Sequence, residues 1–100
     1  MSDISLTLLC PVSLEEKLLD TLLMNTHVKL FTSLPIAAHG LSFGTLNTQE
    51  QVLGRAMATQ VQVLLPLTAK ETVLEALRQE FAGTGLRYWM VSVVETGVIQ

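Results

Sequence analysis

Twice along its length this chain runs the same sequence of signals, and that repetition constrains the fold more than any other feature. An alternating apolar stretch meets a proline, then a Ser/Thr-x-x-Glu box, then an apolar stripe at helical spacing, then a second alternating stretch. In the first half, Ile4, Leu6, Leu8 and Cys10 alternate with Ser5, Thr7 and Leu9, which predicts a strand over residues 3–10. Pro11 ends it. Ser13-Leu14-Glu15-Glu16 then has the spacing of a capping box, in which the Ser13 hydroxyl accepts from the Glu16 N–H and the Glu16 carboxylate returns to the cap. Leu14, Leu18 and Leu22, with Leu19 and Leu23, predict a helix to about residue 24, stopped at Asn25. Val28, Leu30, Thr32, Leu34 and Ile36 then alternate with Lys29, Phe31, Ser33 and Pro35. Pro35 has no N–H for a ladder, so this second strand belongs at a sheet edge or in a bulge.

The second half repeats the plan. Thr59, Val61, Val63 and Leu65 alternate with Gln60, Gln62 and Leu64, and Pro66 closes the strand. Thr68-Ala69-Lys70-Glu71 is the second box, and Leu74, Leu77 and Phe81 line a helix that Gly83 stops. Residues 86–94, rich in β-branched and aromatic side chains, make the fourth strand. The order β-α-β-β-α-β, with right-handed crossovers, leaves one arrangement. It is a single α+β domain over residues 1–100, a ferredoxin-like sandwich with an antiparallel sheet in the order 4-1-3-2 and both helices on one face.

That arrangement leaves the other sheet face without helices, and composition makes this matter. Apolar residues are 49% of the chain and charged residues 15%. Leu9, Phe31 and Leu64 are expected to point away from the helices, and both faces of the fourth strand are apolar. A face of this kind is expected to be covered by other subunits. The formal net charge is −3, and the six Lys and Arg are scattered. This argues against nucleic acid, whose phosphates need a basic face. No apolar run reaches the roughly 18–20 residues that span a bilayer, so direct membrane insertion is not expected. With Asp3 and no basic stretch at the start, the chain reads as cytoplasmic.

Between the halves, residues 38–55 lose the pattern and hold Gly40, Gly44, Asn47 and Gly54. Connections of this length in a compact domain are usually functional. In the deduced topology this loop shares one pole of the sheet with Cys10, the start of the first helix and the Gly83-Thr84-Gly85 turn. Arg55 and Arg87 fall at the same pole. A helix N-terminus, backbone N–H groups and two guanidiniums suit an anionic ligand, so Arg55, Gly83, Thr84, Gly85 and Arg87 are candidate ligand-binding residues. The alternative is that Gly83-Thr84-Gly85 only stops a helix. His39 and Cys10 are the candidate metal ligands, imidazole and thiolate suiting borderline or soft ions. Their strands are separated by a third, which requires the loop to fold back or a second subunit to complete such a site. Ser-His-Asp sets, HExxH motifs and P-loops are not recognisable in the sequence, and a non-enzymatic role is expected.

Phe31-Thr32-Ser33, His39-Gly40, Glu50-Gln51-Val52 with Gly54-Arg55, and Tyr88-Trp89, in this order and spacing, give a resemblance to the PII-like superfamily. More narrowly, the chain resembles a PII-like family that accompanies heavy-metal efflux pumps of the resistance-nodulation-division type. The resemblance implies a homotrimer, a T-loop in the place of residues 38–55 and a B-loop in the place of residues 83–86. It further implies a nucleotide or a divalent or monovalent transition-metal ion held between subunits, and a membrane transporter as partner of the 38–55 loop. The rival implication is a metal-binding sensor or chaperone like the divalent-cation tolerance proteins, which share this fold.

Overall fold

The computed structural model describes residues 2–40 and 56–100. Strand β1 (Asp3–Pro11) leads through a short 3-10 turn into helix α1 (Glu15–Leu23), followed by β2 (Leu30–Ala38). Strand β3 (Ala56–Pro66) repeats the step, through a second 3-10 turn into helix α2 (Lys70–Phe81), and β4 (Arg87–Val93) ends the pattern. The four strands form one antiparallel sheet in the order β2-β3-β1-β4, the order deduced from the sequence read from its other edge. Pro35 lies on β2, an edge strand, as expected for a residue with no N–H to give a ladder.

The core lies between the sheet and the helices. Leu6, Leu8 and Cys10 of β1 and Val61, Val63 and Leu65 of β3 are buried against Leu18 and Leu22 of α1 and Val73, Leu77 and Phe81 of α2. These are the sets predicted for both central strands; of the predicted helical stripes Leu18, Leu22, Leu77 and Phe81 are in the core, Val73 joins them beside Leu74, and Leu23 is exposed instead. Strand β2 departs from expectation. Phe31 packs against the core, while Leu30 and Leu34 lie on the open face and stay exposed. The register explains the reversal. Leu30 stands opposite Leu64, and Leu64 stands opposite Ser5, so all three share the face turned away from the helices.

Neither predicted capping box forms. The residues at the cap positions are Leu14 for α1 and Ala69 for α2, with no side-chain cap bond at either. The extended backbone of Pro11 and Pro66 feeds directly into the 3-10 turns Val12–Leu14 and Leu67–Ala69, which hold Ser13 and Thr68 inside a turn instead of at a cap. The Glu15 carboxylate is used differently. It accepts a hydrogen bond from the Thr59 hydroxyl at 2.6 Å, tying the first turn of α1 to β3.

Candidate functional site

Two poles follow from the topology. At one, β1 and β2 end while β3 and β4 begin, so Pro11, Ala38, Ala56 and Arg87 gather there with the start of α1 and the turn after α2. This is the pole at which the sequence gathers its candidate ligand residues. Arg55 and most of the 38–55 segment lie outside the described residues.

Cys10 is fully buried on the helix side of β1, and its thiol donates to the carbonyl of Pro11 at 3.3 Å. Burial, and secondarily the Glu15 carboxylate nearby, push the thiol up from 9.0 to about 11. A soft metal binds the thiolate, which this environment disfavours. His39 is exposed just beyond β2. Cys10 pairs across the sheet with Thr59, and Thr59 with Pro35. The two outer strands of that triplet are therefore about 9–10 Å apart at this level, and His39 lies four residues further along. One chain does not bring Cys10 and His39 together. Among the described residues, no group of three or more His, Cys, Asp and Glu is placed to hold a metal ion.

The Gly83-Thr84-Gly85 turn is closed on itself. Gly83 and Gly85 take φ of +79° and +88°, and the Thr84 hydroxyl and N–H both donate to the Phe81 carbonyl, at 2.6 and 3.2 Å. The Leu86 N–H in turn donates to the Thr84 hydroxyl at 3.4 Å. Two N–H groups that could meet an anion are thus engaged inside the turn, that of Thr84 capping the carbonyl end of α2, which is the negative end of its dipole, and that of Leu86 on the Thr84 hydroxyl. The positive end of α1 at the same pole already faces its own Glu15 and Glu16.

Beside this turn, on the helix side, a cleft of about 150 Å³ opens between α2 and β4, lined by Leu8, Leu77, Phe81, Gly83, Leu86 and Tyr88 among others. Arg87 belongs to the other side. It pairs with Leu9, and its row continues across the open face through Gln60 to Leu34. The sequence therefore places Gly83–Gly85 and Arg87 at one pole correctly, and the structure divides them between the two sheet faces. The cleft and the Glu15–Thr59 link were both missed. Strand alternation carries the signal for the first, since Tyr88 and Arg87 must diverge. The second has no local sequence signal, because its partners lie far apart in the chain.

At the opposite pole Asp3 of β1 joins Lys29, at 2.9 and 3.0 Å, and accepts from the Thr96 hydroxyl at 3.1 Å. The Lys29 ammonium, hydrogen-bonded to it, holds the Asp3 carboxyl below its ordinary value. Among the described residues, no helix is long and apolar enough to cross a membrane.

The family described as "Protein of unknown function (DUF3240)" matches residues 1–100. A DUF3240 family protein from Shewanella baltica superposes with a TM-score of 0.82 at 16% identity, covering 100% of this chain and 99% of that one. A Thermus thermophilus protein described as PII-like and signalling gives a TM-score of 0.66 at 13% identity, over 93% of this chain and 88% of that one. A Bacillus cereus protein related to NIF3 gives 0.69 at 11% identity, over 97% of this chain but 26% of that one. Among curated proteins none matches the chain significantly. At these identities the structural likenesses bear on the fold.

Proposed function

This chain belongs to the DUF3240 family, and we propose that it works as a non-enzymatic, PII-like regulatory module assembled as a trimer. A small effector or a metal ion binds between its subunits, and the 38–55 segment passes that signal to a partner, a heavy-metal efflux transporter. The fold shared with a protein described as PII-like and signalling supports the regulatory reading. The observation that carries the assembly is the open sheet face. Leu30, Leu34, Trp89 and Val91 lie there with roughly half of each side chain in water. Covering the exposed half of one such side chain contributes about 1 kcal/mol, half the full-burial value. Leu30 and Leu34 at one edge and Trp89 and Val91 at the other suit a closed ring of copies around the open face.

The transporter partner and the metal rest on the family resemblance carried by His39-Gly40, Gly54-Arg55 and Tyr88-Trp89. The rival reading, a metal sensor built on Cys10 and His39, has the weaker support, because Cys10 is buried and protonated.

Light scattering tests the assembly, with an expected mass three times the 10.9 kDa of one chain. A stable monomer at micromolar concentration would remove the site between subunits. Calorimetric titration with nucleotides and with Cu, Zn, Ni and Co ions then identifies the effector. An anionic effector should lose about 1.5–3 kcal/mol of affinity in Arg87→Ala, the range for a hydrogen bond to a charged group. A metal ion should instead be lost in His39→Ala and be indifferent to Arg87→Ala. Unchanged binding in both variants would refute this pole as the site.

A further inference from the structure

The cleft between α2 and β4 is formed within one chain. Its floor belongs to the core, where Leu8, Leu77 and Phe81 are buried. Its mouth is made by residues in contact with water: Arg78 on the last turn of α2, Gly83 and Gly85 in the turn that follows, and Tyr88 on β4. Tyr88 pairs with Leu8, which places it on the helix side of the sheet, away from the open face.

Size selects among occupants. The cleft holds about 150 Å³. An apolar cavity of about that volume takes one benzene ring. Pockets for larger molecules begin at about 300 Å³, so a nucleotide is too big and a single ring fits. Phe81 and Tyr88 both line the space, and a ring placed against them gains from aromatic pairing beyond the area it buries.

The mouth selects the polar end of that molecule. The Thr84 and Leu86 N–H groups are engaged inside the turn, but among the described residues the N–H groups of Gly83 and Gly85 have no acceptor, and the Tyr88 hydroxyl has no partner. The Arg78 guanidinium makes two loose ion contacts, with Glu75 at 3.6 Å and Glu71 at 4.0 Å, both longer than a hydrogen bond. None of the residues lining the cleft is acidic. The carbonyls at the end of α2, which would oppose an anion, are largely met already. That of Arg78 accepts from the Ala82 N–H, that of Phe81 from Thr84, and that of Glu80 from the Lys17 ammonium. Unused donors over an apolar floor suit a ring-sized body with an anionic head.

We propose that this cleft binds a small aryl carboxylate, its ring against Phe81 and Tyr88 and its carboxylate met at the mouth by the Gly83 and Gly85 N–H groups and by Arg78. This goes beyond the regulatory reading, since the site lies within one subunit and needs neither the trimer nor Arg87, which belongs to the other sheet face.

The test is an amide NMR titration of the full chain with phenylacetate, and with phenylacetamide as its neutral counterpart of the same shape. Phenylacetate should give saturable shifts centred on Gly83, Gly85, Leu86 and Tyr88, and phenylacetamide should bind at least tenfold more weakly. Arg78→Gln should weaken phenylacetate by about tenfold, the lower end for a hydrogen bond to a charged group. Tyr88→Ala should weaken it as well, by removing a wall of the cleft. Both side chains are about half exposed, so the amide spectrum away from the cleft should stay that of the parent. Arg87→Ala should bind like the parent. The proposal is overturned by shifts that do not saturate at millimolar phenylacetate, by equal binding of phenylacetamide, or by parental affinity in both Arg78→Gln and Tyr88→Ala. Loss of binding in Arg87→Ala with the Gly83 and Gly85 amides unmoved would also overturn it, and would assign the anion to the open face.

Discussion

Cys10 is the residue on which the metal-ligand and core readings differ most sharply. Its thiol is fully buried and pushed from 9.0 to about 11, chiefly by burial. At any pH well below both values, a shift of this size cuts the thiolate fraction about a hundredfold. Reaction with a disulfide reagent at pH 8 should therefore be at least about tenfold slower in the folded protein than in urea, since the greater nucleophilicity of a thiolate of higher pKa offsets part of the deficit and steric closure adds to it. The same shift fixes the pH dependence of stability. Below pH 9 both folded and unfolded chains keep the proton and the contribution is intact. As pH rises from 9 toward 11 the unfolded chain loses its proton while the folded chain keeps it, so stability falls, by about 3 kcal/mol in all. Cys10→Ala should lack this loss when its urea midpoints are compared with those of the parent across that window. At neutral pH the variant should be less stable by about 1–2 kcal/mol, the cost of one deleted buried atom and its cavity. Its metal titration should match the parent's. Rapid reaction of the native thiol, or loss of metal binding in Cys10→Ala, would refute the assignment of Cys10 to the core.

Three further outcomes are expected. Thr59→Val keeps the buried shape but removes the 2.6 Å bond to Glu15, and should lower stability by about 1–2 kcal/mol in urea with an unchanged m-value. Gly83→Ala meets open space around the new Cβ, so its cost should be that of the left-handed backbone alone, about 1 kcal/mol; a loss several times larger would show an unrecognised contact. Asp3, held low by Lys29, contributes stability above its ordinary 3.8 that is lost as pH falls through its lower folded value. Asp3→Asn should remove that acid-side loss from thermal midpoints followed against pH.

How far the sequence could be read depended on which faces were chemically distinct. In β1 and β3 the set turned from the helices includes Ser5 and Thr7, or Gln60 and Gln62, so polarity alone assigned their faces. Strand β2 has no such contrast. Leu30, Leu34 and Ile36 on one side compete with Phe31, Pro35 and Ala37 on the other. Its parity is set by the turn after α1, where Asn25 Oδ1 accepts from the His27 N–H and the Val28 N–H reaches the Asn25 carbonyl. A one-residue difference in such a turn reverses every side chain that follows. The capping boxes misled for a related reason. Ser13 and Thr68 each lie two residues after a proline whose extended backbone begins a 3-10 turn, so the helices start later than the boxes suggest. The pole of the candidate site was legible because it depends on strand order alone. The division of Gly83–Gly85 from Arg87 depends on parity at the start of β4, which the apolar character of both its faces obscured.

The open face has a further property that bears on assembly. Its rows are not uniformly apolar. Trp89, Thr7, Gln62 and Thr32 stand in one line across all four strands, between a row containing Leu9 and Leu34 and a row containing Val91, Leu64 and Leu30. An all-apolar face could slide against another copy at little cost. A polar line cannot, because each amide or hydroxyl buried without a partner costs about 1–3 kcal/mol. The Gln62 amide alone brings two donors and one acceptor oxygen that must be met across a subunit boundary. The apolar side chains of these rows therefore supply the drive to associate, and the polar ones among them, Gln60, Gln62 and Thr32, restrict which registers can form. That division favours one closed arrangement over a distribution of loose ones, which is what the proposed assembly needs.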